Sequence, residues 1–247
     1  MLSVLKNRFE QGYRTCNYPK EKPPVFPRYR GRPDINKDAD PSMVQACADA
    51  CPQEAIDAVN KTIDMGRCVF CGTCERLSEK TFVSFSGDFE ISTANRLDLI
   101  TDGTLPDLAR HSKHHFKKLF GRSLQLRQVS AAGCNACEAD LNVLATPFFD
   151  LARFGINFVA SPRHADAIVV TGPVSRNMKT ALLQTYEAVP EPRVVIAVGS
   201  CTIMGGPFYG SPEVAPGLES ILPVDLFIPG CPPHPLTNLH GFLTFFK

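Results

Sequence analysis

Downstream of residue 122 the chain alternates short apolar runs with amphipathic stretches. Residues 124–129, 157–160, 167–171, 193–198 and 225–228 read as strands, and residues 138–149, 178–188 and 236–246 read as helices. Strands that alternate with helices predict a parallel sheet covered by helices on both faces, an α/β flavodoxin-like arrangement. In such sheets, binding sites form beyond the carboxyl ends of the strands.

The first half is patterned differently. Residues 55–59, 81–85 and 89–91 alternate apolar and polar positions in the manner of short strands, which suits a small α+β ferredoxin-like fold. A proline-rich stretch over 18–33 reads as extended chain along the surface. Residues 96–122 turn polar and basic, with Lys113, His114, His115, Lys117 and Lys118 close together. They read as a solvated helix face, or as a contact for another subunit or a lipid headgroup. Neighbouring histidines point in different directions on a helix, so His114 and His115 make a poor metal pair. The expected organisation is a ferredoxin-like domain at 1–95, a basic connector at 96–122 and an α/β domain at 123–247.

Composition narrows the function classes. With 247 residues the chain can bury a substantial core, and with a net charge of +1 nothing global points to nucleic acid. No apolar run approaches the roughly 20 residues that span a bilayer, so membrane contact is expected to be peripheral. The start of the chain lacks the apolar core of a signal peptide, and its ten cysteines are expected to work in a reducing cytoplasm.

The cysteines carry the chemistry. Cys134 and Cys137, then Cys201, then Cys231 each follow a predicted strand or open a predicted helix, so all four converge on one sheet edge as ligands of one buried cofactor. Glycines and prolines crowd the same positions: Gly133, Gly199, Gly205, Gly206, Gly230, Pro232 and Pro233. They let backbone approach a cluster and offer amide donors to its sulfurs.

Upstream, a second set fits the two-cluster ferredoxin ruler, C-x2-C-x2-C-x3-C-P taken twice, in which each fourth cysteine serves the other copy's cluster. The first copy ends at Cys47 and Cys51-Pro52, so its first two positions fall on Pro41 and Val44. The second opens as Cys68, Cys71 and Cys74, and its fourth position falls on Ser78. Crossing the ligands leaves Pro41, Val44, Cys47 and Ser78 unable to hold a cluster, and leaves Cys51, Cys68, Cys71 and Cys74 complete. One [4Fe-4S] cluster is therefore expected here, with a zinc ion as the rival metal and Cys47 as a buried thiol.

At the residues Gly133–Glu138, Ser161-Pro162-Arg163-His164-Ala165-Asp166, Thr171-Gly172-Pro173-Val174, Gly199-Ser200-Cys201 and Pro229-Gly230-Cys231-Pro232-Pro233 the chain resembles a known family. It is the small-subunit family shared by respiratory complex I and the membrane-bound group 4 [NiFe] hydrogenases, formate hydrogenlyase included. Residues 1–95, with Arg30-Gly31-Arg32-Pro33, resemble the two-cluster ferredoxin subunit of the same complexes. The resemblance implies a fusion of two subunits with two [4Fe-4S] clusters, electron transfer to a Ni-Fe site in a separate large subunit, and integral membrane subunits as further partners. It also implies a soluble donor or acceptor resembling ferredoxin or formate dehydrogenase, and a peripheral place on the cytoplasmic side of the inner membrane. Complex I proteins have adjacent cysteines at the first two ligand positions, whereas Cys134-x2-Cys137 falls with the hydrogenases. Glu138 matches a family glutamate on the proton path; a carboxylate favoured by a helix N-terminus is the plainer account. The retained upstream cluster matches the inner of the two, so the outer relay station is missing. Alternatives are a complex-I-like quinone or ferredoxin oxidoreductase subunit without Ni-Fe, and a non-catalytic scaffold.

Overall fold

The computed structural model describes residues 2–104 and 123–246. Lys113, His114, His115, Lys117 and Lys118 lie outside the described residues, as does most of the expected basic connector.

The second half forms a five-stranded parallel sheet. Its strands are β6 (Leu124–Ser130), β7 (Ile156–Phe158), β8 (Ala167–Thr171), β9 (Val194–Val198) and β10 (Leu226–Ile228), ordered β7-β6-β8-β9-β10. In chain order this is 2-1-3-4-5, with the topological switch between β6 and β8. Both β8 and β9 are buried at every residue, which explains why they read as continuous apolar runs without alternation.

Helices cover both faces. Leu126, Val169, Ile196 and Ile228 pack against α4 (Ala136–Val143) and α7 (Pro235–Phe246). On the opposite face Ile168, Val170, Val195 and Phe227 pack against α5 (Arg176–Ala188) and Ile203 of α6 (Ser200–Met204).

The first half follows an exposed helix α1 (Leu2–Gln11) with two small sheets. Strand β1 (Pro33–Ile35) pairs antiparallel with β4 (Val83–Phe85), and β2 (Ile56–Asp57), β3 (Thr62–Asp64) and β5 (Ile100–Thr101) form the other. Helices α2 (Pro41–Asp49) and α3 (Thr73–Leu77) complete the order β1-α2-β2-β3-α3-β4. Asp40 caps α2 by accepting from the Ser42 amide, and Pro41 occupies the first turn, where its missing N–H costs nothing.

Several expected elements differ. The stretch 96–104 does not begin a connector: β5 pairs with β3, and Arg96 forms a two-bonded ion pair with Asp64. The expected strand 55–59 shrinks to Ile56–Asp57, because the Asp57 carboxylate accepts from the Val59 and Asn60 amides and turns the chain. Residues 89–91 form no strand, although their alternation is real: Phe89 is buried in one core layer of the parallel domain and Ile91 in the other, and Thr93 bridges Phe227. The helix expected over 138–149 ends at Val143, and Pro147 disfavours helical backbone at Thr146 just beyond it.

The two halves share their core. Cys16, Tyr18 and Phe89 join the α4/α7 layer, while Met65, Ile91 and Leu99 join the α5/α6 layer.

Candidate metal centres

The first cysteine set encloses a cavity. Cys51, Cys68, Cys71 and Cys74 line one pocket, together with Pro52, Ile56, Ile63, Val69, Gly72 and Phe85. Cys51 follows the end of α2, Cys68 follows the β3 turn, and Cys74 lies on α3. The loop between them curls by placing Phe70 and Gly72 at positive φ, 52° and 70°. Backbone amides point at the sulfurs: Ala55 N to Cys51 Sγ is 3.4 Å and Phe70 N to Cys68 Sγ is 3.3 Å. Burial pushes the Cys68 thiol well up and the Cys74 thiol up to about 12. An apolar pocket of this kind resists thiolates until a bound cation supplies compensating charge. Cys71 is the exposed member.

Arg30, in the proline-rich stretch, holds this loop from outside. Its Nη1 donates to Phe70 O at 3.5 Å, its Nε lies 3.8 Å from Glu75 Oε2, and a side chain at Gly72 would collide with its guanidinium. Only the tertiary arrangement reveals this role.

Of the four positions that cannot hold a cluster, Pro41 is exposed and the other three are buried. Val44 and Cys47 are fully buried on α2, packed with Ala39, Ile63, Phe82 and Val83, and Ser78 is buried nearby. The Cys47 thiol donates to Cys74 O at 3.6 Å.

The second set sits at the carboxyl ends of β6, β9 and β10. Cys134 follows β6, Cys137 lies on the first turn of α4, Cys201 on α6, and Cys231 after β10. Burial pushes the Cys137 thiol up to about 12, and the nearby Glu138, Cys231 and Cys134 push the same way. Cys201 and Cys231 share a hydrogen bond that pushes Cys201 up and holds Cys231 down at about 7. Two of the glycines abut cysteine sulfurs, since a Cβ on Gly199 would lie 2.7 Å from Cys137 Sγ and one on Gly206 would lie 2.7 Å from Cys201 Sγ, whereas Gly133, Gly205 and Gly230 meet other neighbours. Among the described residues, no three Cys, His, Asp or Glu side chains close on a single metal ion.

Glu138 is 6% exposed at the switch between β6 and β8. Its Oε1 accepts from Ser130 Oγ at 2.6 Å and Thr171 Oγ1 at 2.7 Å, one hydroxyl from each strand end, while Oε2 is buried without a hydrogen-bond partner. Burial pushes its pKa up, but the two hydroxyls and its own backbone amide outweigh burial and hold it below the usual carboxylate value. The Ser130 and Thr171 anchors have no signature in the sequence, because they meet only when β6 and β8 pair.

The two sets touch. Ser200, next to Cys201, is buried and donates its hydroxyl to the backbone carbonyl of Cys68 at 2.6 Å.

Residues 134–245 match the family described as "NADH ubiquinone oxidoreductase, 20 Kd subunit". The probable membrane-bound hydrogenase subunit mbhJ of Pyrococcus furiosus is 44% identical over 124 residues, 50% of this chain and 74% of that one. The chain belongs to this family. Formate hydrogenlyase subunit 7 of Escherichia coli is 40% identical over 139 residues, 56% of this chain and 54% of its own length. An NADH-quinone oxidoreductase subunit of Carboxydothermus hydrogenoformans is 45% identical over 112 residues, 45% of this chain and 68% of that one. The family match begins at Cys134 and contains all four cysteines of the second set, in keeping with iron–sulfur binding; the residues before it lie outside the match. The relatives are subunits of oxidoreductase complexes. Among the described residues no helix is long and apolar enough to cross a membrane.

Proposed function

We propose that this chain is the electron-transfer subunit of a membrane-associated, group 4 [NiFe]-hydrogenase or formate-hydrogenlyase-like complex, and that it fuses a ferredoxin-like domain to the small-subunit domain. The observation that carries the reading is the contact between two four-cysteine sets, one at the sheet edge and one around a cavity. Cys134, Cys137, Cys201 and Cys231 would hold one [4Fe-4S] cluster, and Cys51, Cys68, Cys71 and Cys74 a second. When bound, each supplies a one-electron carrier.

The Cys51-Pro52 pair and the crossed spacing of Cys51 with Cys68, Cys71 and Cys74 support a cubane over a tetrahedral zinc knuckle. The order β1-α2-β2-β3-α3-β4, with its outer and inner strands paired, supports the ferredoxin-like reading. Packed side chains at Val44, Cys47 and Ser78 support a single upstream cluster on a scaffold made for two. Cys71 then marks the face where electrons are exchanged with a soluble donor or acceptor resembling ferredoxin or formate dehydrogenase.

Cys134-x2-Cys137 favours a large subunit retaining Ni-Fe. Glu138 holds its carboxylate with Ser130 and Thr171 and keeps Oε2 free, an arrangement suited to passing a proton. The large subunit and integral membrane subunits are the expected partners, with this chain peripheral on the cytoplasmic side. Gentle detergent extraction should copurify a nickel-containing large subunit with membrane subunits, and the complex should reduce an artificial dye with hydrogen. A nickel-free complex that reduces quinone would replace this reading with the complex-I-like one, which the similarity to an NADH-quinone oxidoreductase subunit also favours. A cluster-free monomer would favour a scaffold.

A further inference from the structure

We propose that Ser200 is the electron bridge between the two cysteine-held clusters, an inference that rests on the two-cluster reading above. Three observations meet at its hydroxyl. Ser200 is covalently next to Cys201, a ligand of the second set, and is 1% exposed. Its Oγ donates to the carbonyl of Cys68, a ligand of the first set, at 2.6 Å. The same Oγ lies 3.2 Å from the carbonyl of Gly230, the residue before Cys231. One small polar side chain thus links the backbones of three ligand cysteines drawn from both sets.

The surroundings fix the link in place. The Ser200 amide donates to Gly230 O at 2.9 Å, and Thr202 Oγ1 donates to Val198 O at 2.8 Å, pinning the first turn of α6 to its neighbours. Ile203 on the same helix packs with Met65, Ile91 and Leu99 of the first half. A buried hydroxyl needs a partner, and here the closer one belongs to the other cysteine set. The resulting route is short. It runs from Cys68 Sγ along that residue to its carbonyl oxygen, across the hydrogen bond to Ser200 Oγ, and through the 200–201 peptide to Cys201 Sγ. The backbone carbonyl of Cys68 meets Ser200 at the seam while Cys71 is exposed, so the route also has a direction consistent with an external partner at Cys71.

One electron leaves the reduced upstream cluster and is taken up by the oxidised downstream one. No bond breaks, and the hydroxyl proton stays on Ser200 Oγ. The hydrogen bond supplies electronic coupling across what would otherwise be a van der Waals gap, and coupling rather than driving force is what its removal changes.

The test uses the intact complex with Ser200→Ala, and two spectroscopic readings separate the path from the distance. With both clusters reduced, dipolar spin coupling reports how far apart they are, and exchange coupling reports the bonded path between them. Ser200→Ala should keep both cluster signals, their potentials and the dipolar coupling, lose exchange coupling, and slow light-triggered electron arrival at the downstream cluster severalfold. Unchanged exchange coupling and arrival rate would overturn the bridge; so would a slower rate accompanied by changed dipolar coupling, which would make Ser200 a spacer. If the alanine variant fails to assemble, the isosteric pair Ser200→Thr and Ser200→Val decides: the bridge requires the hydroxyl-bearing variant to be the faster, and equal rates refute it. A wild-type complex with a single cluster signal would instead refute the two-cluster reading, and the bridge with it, before any variant is compared.

Discussion

Substituting Gly199 by alanine should dismantle the downstream centre and leave the upstream one intact. Gly199 ends β9 with φ 88° and ψ 152°, a region essentially confined to glycine. Holding alanine there costs on the order of 1–3 kcal/mol in backbone strain. The added Cβ would also stand 2.7 Å from Cys137 Sγ and 3.5 Å from Gly230 O. Neither neighbour yields easily, since Gly199 N is bonded to Ile228 O at 2.9 Å and Cys137 is fixed on α4. Overpacking of this kind adds about 1–3 kcal/mol. The sum, about 2–6 kcal/mol, is a large share of the roughly 5–15 kcal/mol that holds a folded domain together. For a chain of this length it corresponds to a Tm loss of roughly 4–24 °C. Iron analysis of the purified variant should fall from about eight to about four per chain, as one of two cubanes is lost. Gly210 separates strain from contact: its φ is 81° and nothing lies within 4 Å of a Cβ there. Gly210→Ala should therefore lower Tm while keeping its iron. Full iron in Gly199→Ala would refute the assignment of Cys137 as a ligand.

Cys51→Ala should remove about four irons per chain, whereas Cys47→Ala should remove none and only loosen the packing around Val44 and Phe82; loss of a cluster on Cys47→Ala would overturn the crossed assignment. Glu138→Gln should leave both cluster signals intact and cut hydrogen turnover more than tenfold, an added barrier above about 1.4 kcal/mol; near-normal turnover would return Glu138 to a structural carboxylate. His234 gives a pH dependence: burial lowers its pKa from 6.5, and its Nδ1 accepts from the Leu236 amide at 3.1 Å at the start of α7. The folded state favours the neutral ring, so this contribution is full above the unfolded value and is lost as pH falls below about 6.5. Chemical denaturation across that range should show a slope that His234→Asn, which keeps a capping acceptor, flattens; an unchanged slope would reject the assignment.

Local order along the chain is enough to specify the parallel sheet and to single out two groups of four cysteines. Apolar runs such as residues 194–198 are buried wherever the sheet forms, and cysteine spacing records ligand geometry directly. The expectation of a single upstream cluster comes from the sequence alone, where Pro41, Val44 and Ser78 stand at ligand positions. Folding in three dimensions settles what depends on residues distant in the chain. The alternation at residues 89–91 arises from packing into the core that the two halves share rather than from strand pairing, and β5 belongs to β3 although its composition reads as connector. Arg30 reaches the loop at Phe70, Ser130 and Thr171 meet at Glu138, and Ser200 finds Cys68 only when the chain has closed on itself. A hydrogen bond between residues 132 apart leaves no periodicity or spacing to read. Its partners are chosen by the shape of the shared core.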